Sequence, residues 1–225
     1  MKNFKLSPSD LTFLWDECPR CFYLKVVLGI NRPPTAFPKI FGRIDLLMKR
    51  RFEGADTAEL TPVLPPGHVL FGERWVESLP LPYGISPSYA FIRGKFDSVV
   101  AFDDGSYGVV DFKTSEPSPK HIPFYGRQLH AYAYALEHPA PGKLGLAPIT
   151  RLGLLCVEPI DIARDEHKHI SYVGDVTWLE IPKDEQAFLS FVGQVMDVLS
   201  LPDPPAPSDS CGFCKYRAEA REHGW

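Results

Sequence analysis

The chain has 225 residues, 24 Lys and Arg against 28 Asp and Glu, a net charge of -4 and a pI near 6.0. At 44% hydrophobic and 23% charged residues it can bury a proper core, and its acidic balance argues against coating nucleic acid by bulk charge, leaving only a local basic channel open. No apolar run is long enough to span a bilayer and the opening MKNFKLSPSD lacks a signal peptide's apolar segment, so a cytoplasmic, thiol-reducing setting is expected.

In chain order, Ser7-Pro8-Ser9-Asp10 reads as a helix start, with Ser7 as N-cap, Pro8 at the first position and Asp10 where a capping-box acid sits. The helix LTFLWDE runs into Cys18-Pro19-Arg20-Cys21, and a second short helix, FYLKVVL, stops at Gly29. Residues 38–53 place Ile40, Phe41, Ile44, Leu47 and Met48 on one helical face, with Lys49-Arg50-Arg51 toward the C-terminal end. Residues 54–70 are a Pro/Gly-rich connection expected to be mobile. Strands are expected near 71–79, 89–102 and 106–114, then a Tyr/Ala-rich helix over 121–137 and a short buried strand over 152–158. SYVGD and VTWLEI suggest two further strands, and 183–200 an amphipathic helix. LPDPPAPSDS then delivers CGFC and a short basic tail. This order implies one mixed α/β domain over 1–225, its core in 38–200 and its ends, 1–30 and 201–225, gathered around the cysteines.

The stretch GKFDSVVAFDDGSYGVVDFKTS carries the chemistry. Asp103-Asp104-Gly105 fits a three-residue hairpin loop with Gly in the left-handed conformation. That loop pairs Phe102 with Ser106, and counting back sets Asp97 opposite Asp111, on the same face as Lys95 and Lys113. Phe96, Val100, Phe102, Val110 and Phe112 then form an apolar face. Facing carboxylates repel unless compensated, and a hard divalent cation such as Mg²⁺ compensates them with oxygen ligands. Lys113 is placed to orient a water or neutralise charge on a phosphate. A polar, solvent-facing hairpin is the bland alternative, since Asp-x-Lys alone is common.

Gln128 and Tyr132 are i,i+4 neighbours on the following helix, and packing beside the hairpin brings an amide and a phenol toward the acids. Tyr134 and Leu136 read as packing residues and His130 as a surface histidine. Cys18/Cys21 and Cys211/Cys214 form two Cys-x-x-Cys pairs with 189 residues between them. Four thiolates suit tetrahedral Zn²⁺ or an iron–sulfur cluster alike, and either ties the chain ends together. Cys156, in an apolar run, reads as core.

At these residues the sequence resembles the PD-(D/E)XK nucleases: Asp97 in GKFD, Asp111 and Lys113 in VVDFKT, Gln128 and Tyr132 in QLHAY. The closest branch is the RecB-like exonucleases, including CRISPR-associated and AddB-type members, and the likeness spans residues 7–28, 40–53, 90–135 and 211–217. It implies a restriction-endonuclease-like core, a central mixed sheet flanked by helices. It also implies metal ligation by Asp97, Asp111 and the Phe112 carbonyl, Lys113 as catalytic lysine, and Gln128/Tyr132 as the fourth motif. The implied activity is Mg²⁺- or Mn²⁺-dependent hydrolysis of DNA phosphodiesters, as an exonuclease on single strands or ends. Arg43, Lys49, Arg50 and Arg127 are candidate channel walls, and a protein partner in a repair or CRISPR-type assembly fits the acidic charge. Where the family often has a histidine ligand on its first core helix this chain has Asp45, either a metal ligand or a flanking polar residue. Cluster-bearing relatives usually supply one N-terminal and three C-terminal cysteines, whereas this chain supplies two and two. The resemblance favours a four-iron–four-sulfur cluster over zinc. A nuclease-fold module that binds DNA or a partner without cutting, and a zinc scaffold with no nucleic-acid role, are the alternatives.

Overall fold

The computed structural model describes residues 3–35, 38–82 and 89–224. The chain opens with a short strand, β1 (Asn3–Leu6), that the sequence reading did not anticipate. A π-helical turn, Asp10–Leu14, passes into α1 (Trp15–Glu17) and breaks at Cys18, whose extended backbone lets Pro19 open α2 (Pro19–Leu28). Gly29 ends α2 at φ 68°, a left-handed cap that glycine adopts without strain. Asp10 does not cap its helix; it pairs with Lys25 at 2.7 Å, fastening the first helical turn to α2.

The next helix, α3 (Lys39–Phe52), forms where its periodicity predicts. Its apolar face is only partly covered: Met48 is buried, while Ile40, Phe41 and Leu47 stay exposed. Residues 54–70 are more ordered than expected. They hold α4 (Thr57–Leu60), bury Leu60 and Leu64, and tie Thr57 Oγ1 to the Pro65 carbonyl at 2.7 Å before β2 (Gly67–Gly72) begins.

Two sheets follow. β2, β5 (Ser98–Phe102), β6 (Tyr107–Lys113), β7 (Ile149–Arg164) and β8 (Ile170–Ile181) lie in that order, with β6–β7 parallel and the other pairs antiparallel. The smaller sheet sets β4 (Tyr89–Lys95) between β1 and β3 (Trp75–Glu77). The strands expected over 71–79 and 89–102 are therefore each split where the chain passes from one sheet to the other. The two breaks meet: the Glu73 amide donates to the Asp97 carbonyl at 3.1 Å, and a side chain on Gly72 would sit 2.5 Å from that same carbonyl oxygen. β7 and β8, expected as three short strands, form one hairpin whose ladder runs unbroken past Gly174 apart from a bulge at Pro159/Asp161.

Both faces of the five-stranded sheet are covered. α5 (His121–Glu137) and α6 (Glu185–Leu199) join the core that holds Val99, Val109, Leu129 and Leu154, whereas Met48 and Leu60 pack with Val100, Phe102, Val110 and Phe112 on the other side. Phe96 lies in the first of these cores, not with Val100 and Phe112 as strict alternation requires, because the break at 96–97 interrupts the pleat. α7 (Gly212–Glu222) brings the C-terminal cysteines back to α2. The architecture is a mixed α/β fold with its central sheet between helices.

Candidate active site and cysteine centre

The hairpin that presents the acids forms as its loop chemistry requires. Gly105 takes φ 86°, Phe102 and Ser106 close the loop at 2.9 Å, and Asp104 Oδ1 accepts from the Ser106 amide and hydroxyl at 2.8 and 2.7 Å. The ladder pairs Ser98 with Val110 and Ala101 with Tyr107, so one step beyond its end Asp97 faces Asp111. Asp97 lies in the bend just before β5, where its Oδ2 accepts from the Phe112 amide at 3.1 Å. Asp111 is almost fully buried, and that burial pushes its carboxyl up to about 7, with Asp97 adding to the rise and Lys113 opposing it.

Lys113 sets its ammonium against Asp111 Oδ2 and over the Tyr125 ring, 4.4 Å from its centroid. Gln128 donates to Asp111 Oδ1 at 3.1 Å from α5, leaving its own buried Oε1 without a hydrogen-bond partner. Tyr132 lies near both acids, as its place on the Gln128 stripe predicts. Its hydroxyl donates to the Lys95 carbonyl at 2.7 Å, and its ring lies edge-on to Phe96, so it clamps the end of β4 from which Asp97 hangs. Gly94 permits this packing, since a Cβ there would sit 3.1 Å from the Tyr132 ring and 2.6 Å from Pro8.

Lys49 and Glu73 complete the polar cluster. The Lys49 ammonium lies 2.8 Å from Asp97 Oδ1, 2.8 Å from Asp45 and 3.3 Å from Glu73 Oε1, and Glu73 Oε2 reaches Lys95 at 3.0 Å. Against the cost of burial, Asp97 and Asp45 raise the Lys49 pKa and hold it protonated. Asp45 thus joins the site through Lys49. The i,i+4 spacing of Asp45 and Lys49 signalled their pairing; no sequence signal marked Glu73. Lys49, Arg50, Glu73 and Asp97 line a cavity of about 180 Å³. Arg43 and Arg50 are exposed, and Arg127 pairs with Asp16 over the Phe191 ring.

His130 is not on the surface. It is buried, Nδ1 lies 2.6 Å from the Gly126 carbonyl, and Nε2 accepts from the Asp184 amide at 2.8 Å, which assigns the proton to Nδ1. Burial holds its pKa below the ordinary value. Cys156 and Leu136 are core, and Tyr134 packs against Phe188.

The four cysteines converge. Their sulfurs all lie within 4.8 Å of one another, and among the described residues no other group of three or more ligating side chains comes so close. Cys21–Cys214, Cys21–Cys211 and Cys18–Cys214 separations are 3.6, 3.8 and 3.9 Å, far beyond disulfide length. Burial alone would raise the Cys18 thiol, but hydrogen bonds with the Ser208 and Cys21 backbones and the neighbouring thiols bring it down to about 6. The Arg32 guanidinium donates to Cys211 Sγ at 3.3 Å, pairs with Glu17 at 2.5 Å and covers the Phe213 ring.

Compared with known proteins, residues 49–218, about three-quarters of the chain, match the family model described as the PD-(D/E)XK nuclease superfamily. No curated protein matches the sequence. Among solved structures, the crystal structure of SSO0001 is similar at 17% identity with a TM-score of 0.46, over 89% of this chain and 79% of that one.

Proposed function

Because the chain belongs to the PD-(D/E)XK nuclease superfamily, we propose that it is a Mg²⁺- or Mn²⁺-dependent phosphodiesterase that cuts DNA, working as an exonuclease on single strands or ends. The observation that carries this reading is a buried carboxylate, Asp111, opposed by Asp97 and flanked by a lysine. An acid pushed up by burial beside a like charge fits a hard cation, which removes both penalties at once. Asp97, Asp111 and the Phe112 carbonyl would hold the ion. When bound, it supplies Lewis-acid polarisation of the phosphate and a more acidic water. The rest falls to the chain: Gln128 fixes Asp111 Oδ1, the Phe112 amide and Lys49 fix the two oxygens of Asp97, and Lys113 presents its ammonium where charge builds on the phosphate. We assign Asp45 and Glu73 to holding Lys49, and Tyr132 to holding the bend before Asp97.

The test is degradation of end-labelled single-stranded DNA with Mg²⁺ or Mn²⁺. Asp111→Ala and Lys113→Ala should each reduce the rate at least a hundredfold. Undiminished cleavage by Asp111→Ala rejects the site, and metal-independent DNA binding without cleavage by the wild type leaves a silent nuclease-fold module.

For the cysteine centre, the separations favour a single zinc ion over the cluster that the resemblance suggested. A tetrahedral Zn²⁺ with Zn–S bonds of about 2.3 Å sets its sulfurs about 3.8 Å apart; three of the six separations here are 3.6–3.9 Å and all lie within 4.8 Å. A four-iron cluster must seat its irons and sulfides between the thiolates and needs wider spacing. Anaerobically purified protein should therefore be colourless and carry one zinc; a brown protein with stoichiometric iron overturns this assignment.

A further inference from the structure

Beside Lys113 begins a train of aromatic rings that the hydrolytic site does not use. Tyr125 lies under the Lys113 ammonium. The Phe124 ring stands edge-on to Tyr125 at 5.0 Å, and Phe13 stands edge-on to both, at 5.2 Å from Phe124 and 5.7 Å from Tyr125. His121 adds a fourth ring, 5.5 Å from Tyr125. Exposure rises along this train, from Asp111 at 3% through half-buried Tyr125 and Phe124 to Phe13 at 43%.

Two separate elements build it. Tyr125, Phe124 and His121 occupy the first turns of α5, and Phe13 comes from the π-helical turn, a widened turn of the kind often found at functional sites. A large ring left half open at the surface contributes less to stability than a buried one. Aromatic surface next to a phosphate-directed cation is the chemistry that receives an unpaired nucleobase, because every base has a face to stack and paired bases do not offer theirs.

We propose that Phe13 and Phe124 form a stacking platform for a nucleobase next to the phosphate addressed by Lys113, which makes unpaired DNA the substrate of this site. This rests on the nuclease reading for the position of the phosphate, but not for its test. The platform prefers strands with bases over strands of the same charge without them, whatever their sequence.

The experiment compares two labelled single-stranded oligonucleotides of equal length, one ordinary and one with consecutive abasic residues. Affinity is read by fluorescence anisotropy in EDTA-free buffer, and cleavage separately with Mn²⁺. Wild-type protein should bind the ordinary strand about tenfold more tightly. That preference should collapse toward unity in Phe13→Ala and return in Phe13→Trp, with KM moving more than kcat wherever cleavage is seen. Equal wild-type affinity for the two strands, a reading that needs no variant to fold, overturns the platform. So does a preference that survives Phe13→Ala with the melting temperature unchanged, which leaves the rings a packing role only. Absence of wild-type cleavage, by contrast, sinks the nuclease reading and leaves the affinity comparison standing.

Discussion

At the scale of single residues, His130 shows how a polar group becomes structural. It donates to the Gly126 carbonyl one turn back along α5 and accepts the Asp184 amide at the start of α6, so only the neutral ring satisfies both contacts. Burial lowers its pKa from the ordinary 6.5. The unfolded chain therefore takes up a proton near pH 6.5 that the folded chain refuses, and stability falls as pH drops below that value until the folded-state pKa is reached. Denaturant titrations between pH 7.5 and about 5 should show this loss in the wild type and a shallower one in His130→Gln. Equal slopes would place the acid sensitivity elsewhere. An i,i+4 count put Gln128 and Tyr132 on one helical stripe and left His130 off it, which suggested a surface side chain. The error lay in treating α5 as covered on one side, when α6 covers a second.

At the scale of elements, β7 and β8 carry a constraint that composition hides. A Cβ on Gly153 would lie 2.1–2.7 Å from the Trp178 ring, which is held in place by its Nε1 bond to Glu180 at 2.7 Å. Glu180 in turn pairs with Arg151 at 3.2 Å. Gly153→Ala must displace the indole and should destabilise the protein by about 1–3 kcal/mol, seen as a lower urea midpoint with altered tryptophan emission. An unchanged midpoint would mean the ring moves freely. The same level of organisation decides what could be read beforehand. The helices over 121–137 and 183–200 and the tight hairpin were legible because each follows from local periodicity or turn chemistry. The exchange between sheets at 73–74 and 96–97 was not, since it depends on two distant breaks meeting. Glu73 marks it, a non-glycine residue at φ 55°, held there by its amide bond to Asp97 and its ion pairs with Lys49 and Lys95. Neither Glu73 nor the tether of Asp97 to Lys49 leaves a pattern in a short window of sequence. The facing of Asp97 and Asp111 was legible for the opposite reason: the loop that sets it is three residues long.

At the scale of the whole molecule, the cysteine centre joins segments nearly the full chain length apart. Closing a loop of this size removes unfolded-state entropy worth about 5 kcal/mol in the chain-entropy model, an upper bound for a metal that exchanges. Other contacts share the task. Tyr23 donates to the Leu201 carbonyl at 2.9 Å and Arg20 to the Pro205 carbonyl at 3.0 Å, so the C-terminal linker is fastened to α2 even before its thiols bind anything. Arg32 adds a positive charge against Cys211, which would lower the repulsion of four thiolates gathered on the proposed zinc. Stripping the metal with a strong chelator under reducing conditions should therefore lower the melting temperature without unfolding the protein. The expected fall is on the order of 10 °C, at about 2–4 °C per kcal/mol for a chain this long. Limited proteolysis should then release α7 first, and Arg32→Ala should lose metal to the same chelator faster than the wild type. The two acids lie elsewhere, Asp97 in the bend before β5 and Asp111 on β6, and the cores packed on those strands contain none of the four clustered cysteines. Metal stripped from the thiolates alone, with Mg²⁺ restored afterwards, should for that reason leave the hydrolytic rate within about twofold below the new melting temperature. A complete loss of cleavage under those conditions would show that the centre does more than fasten the ends, and that the metal-bound tail completes the surface on which DNA lies.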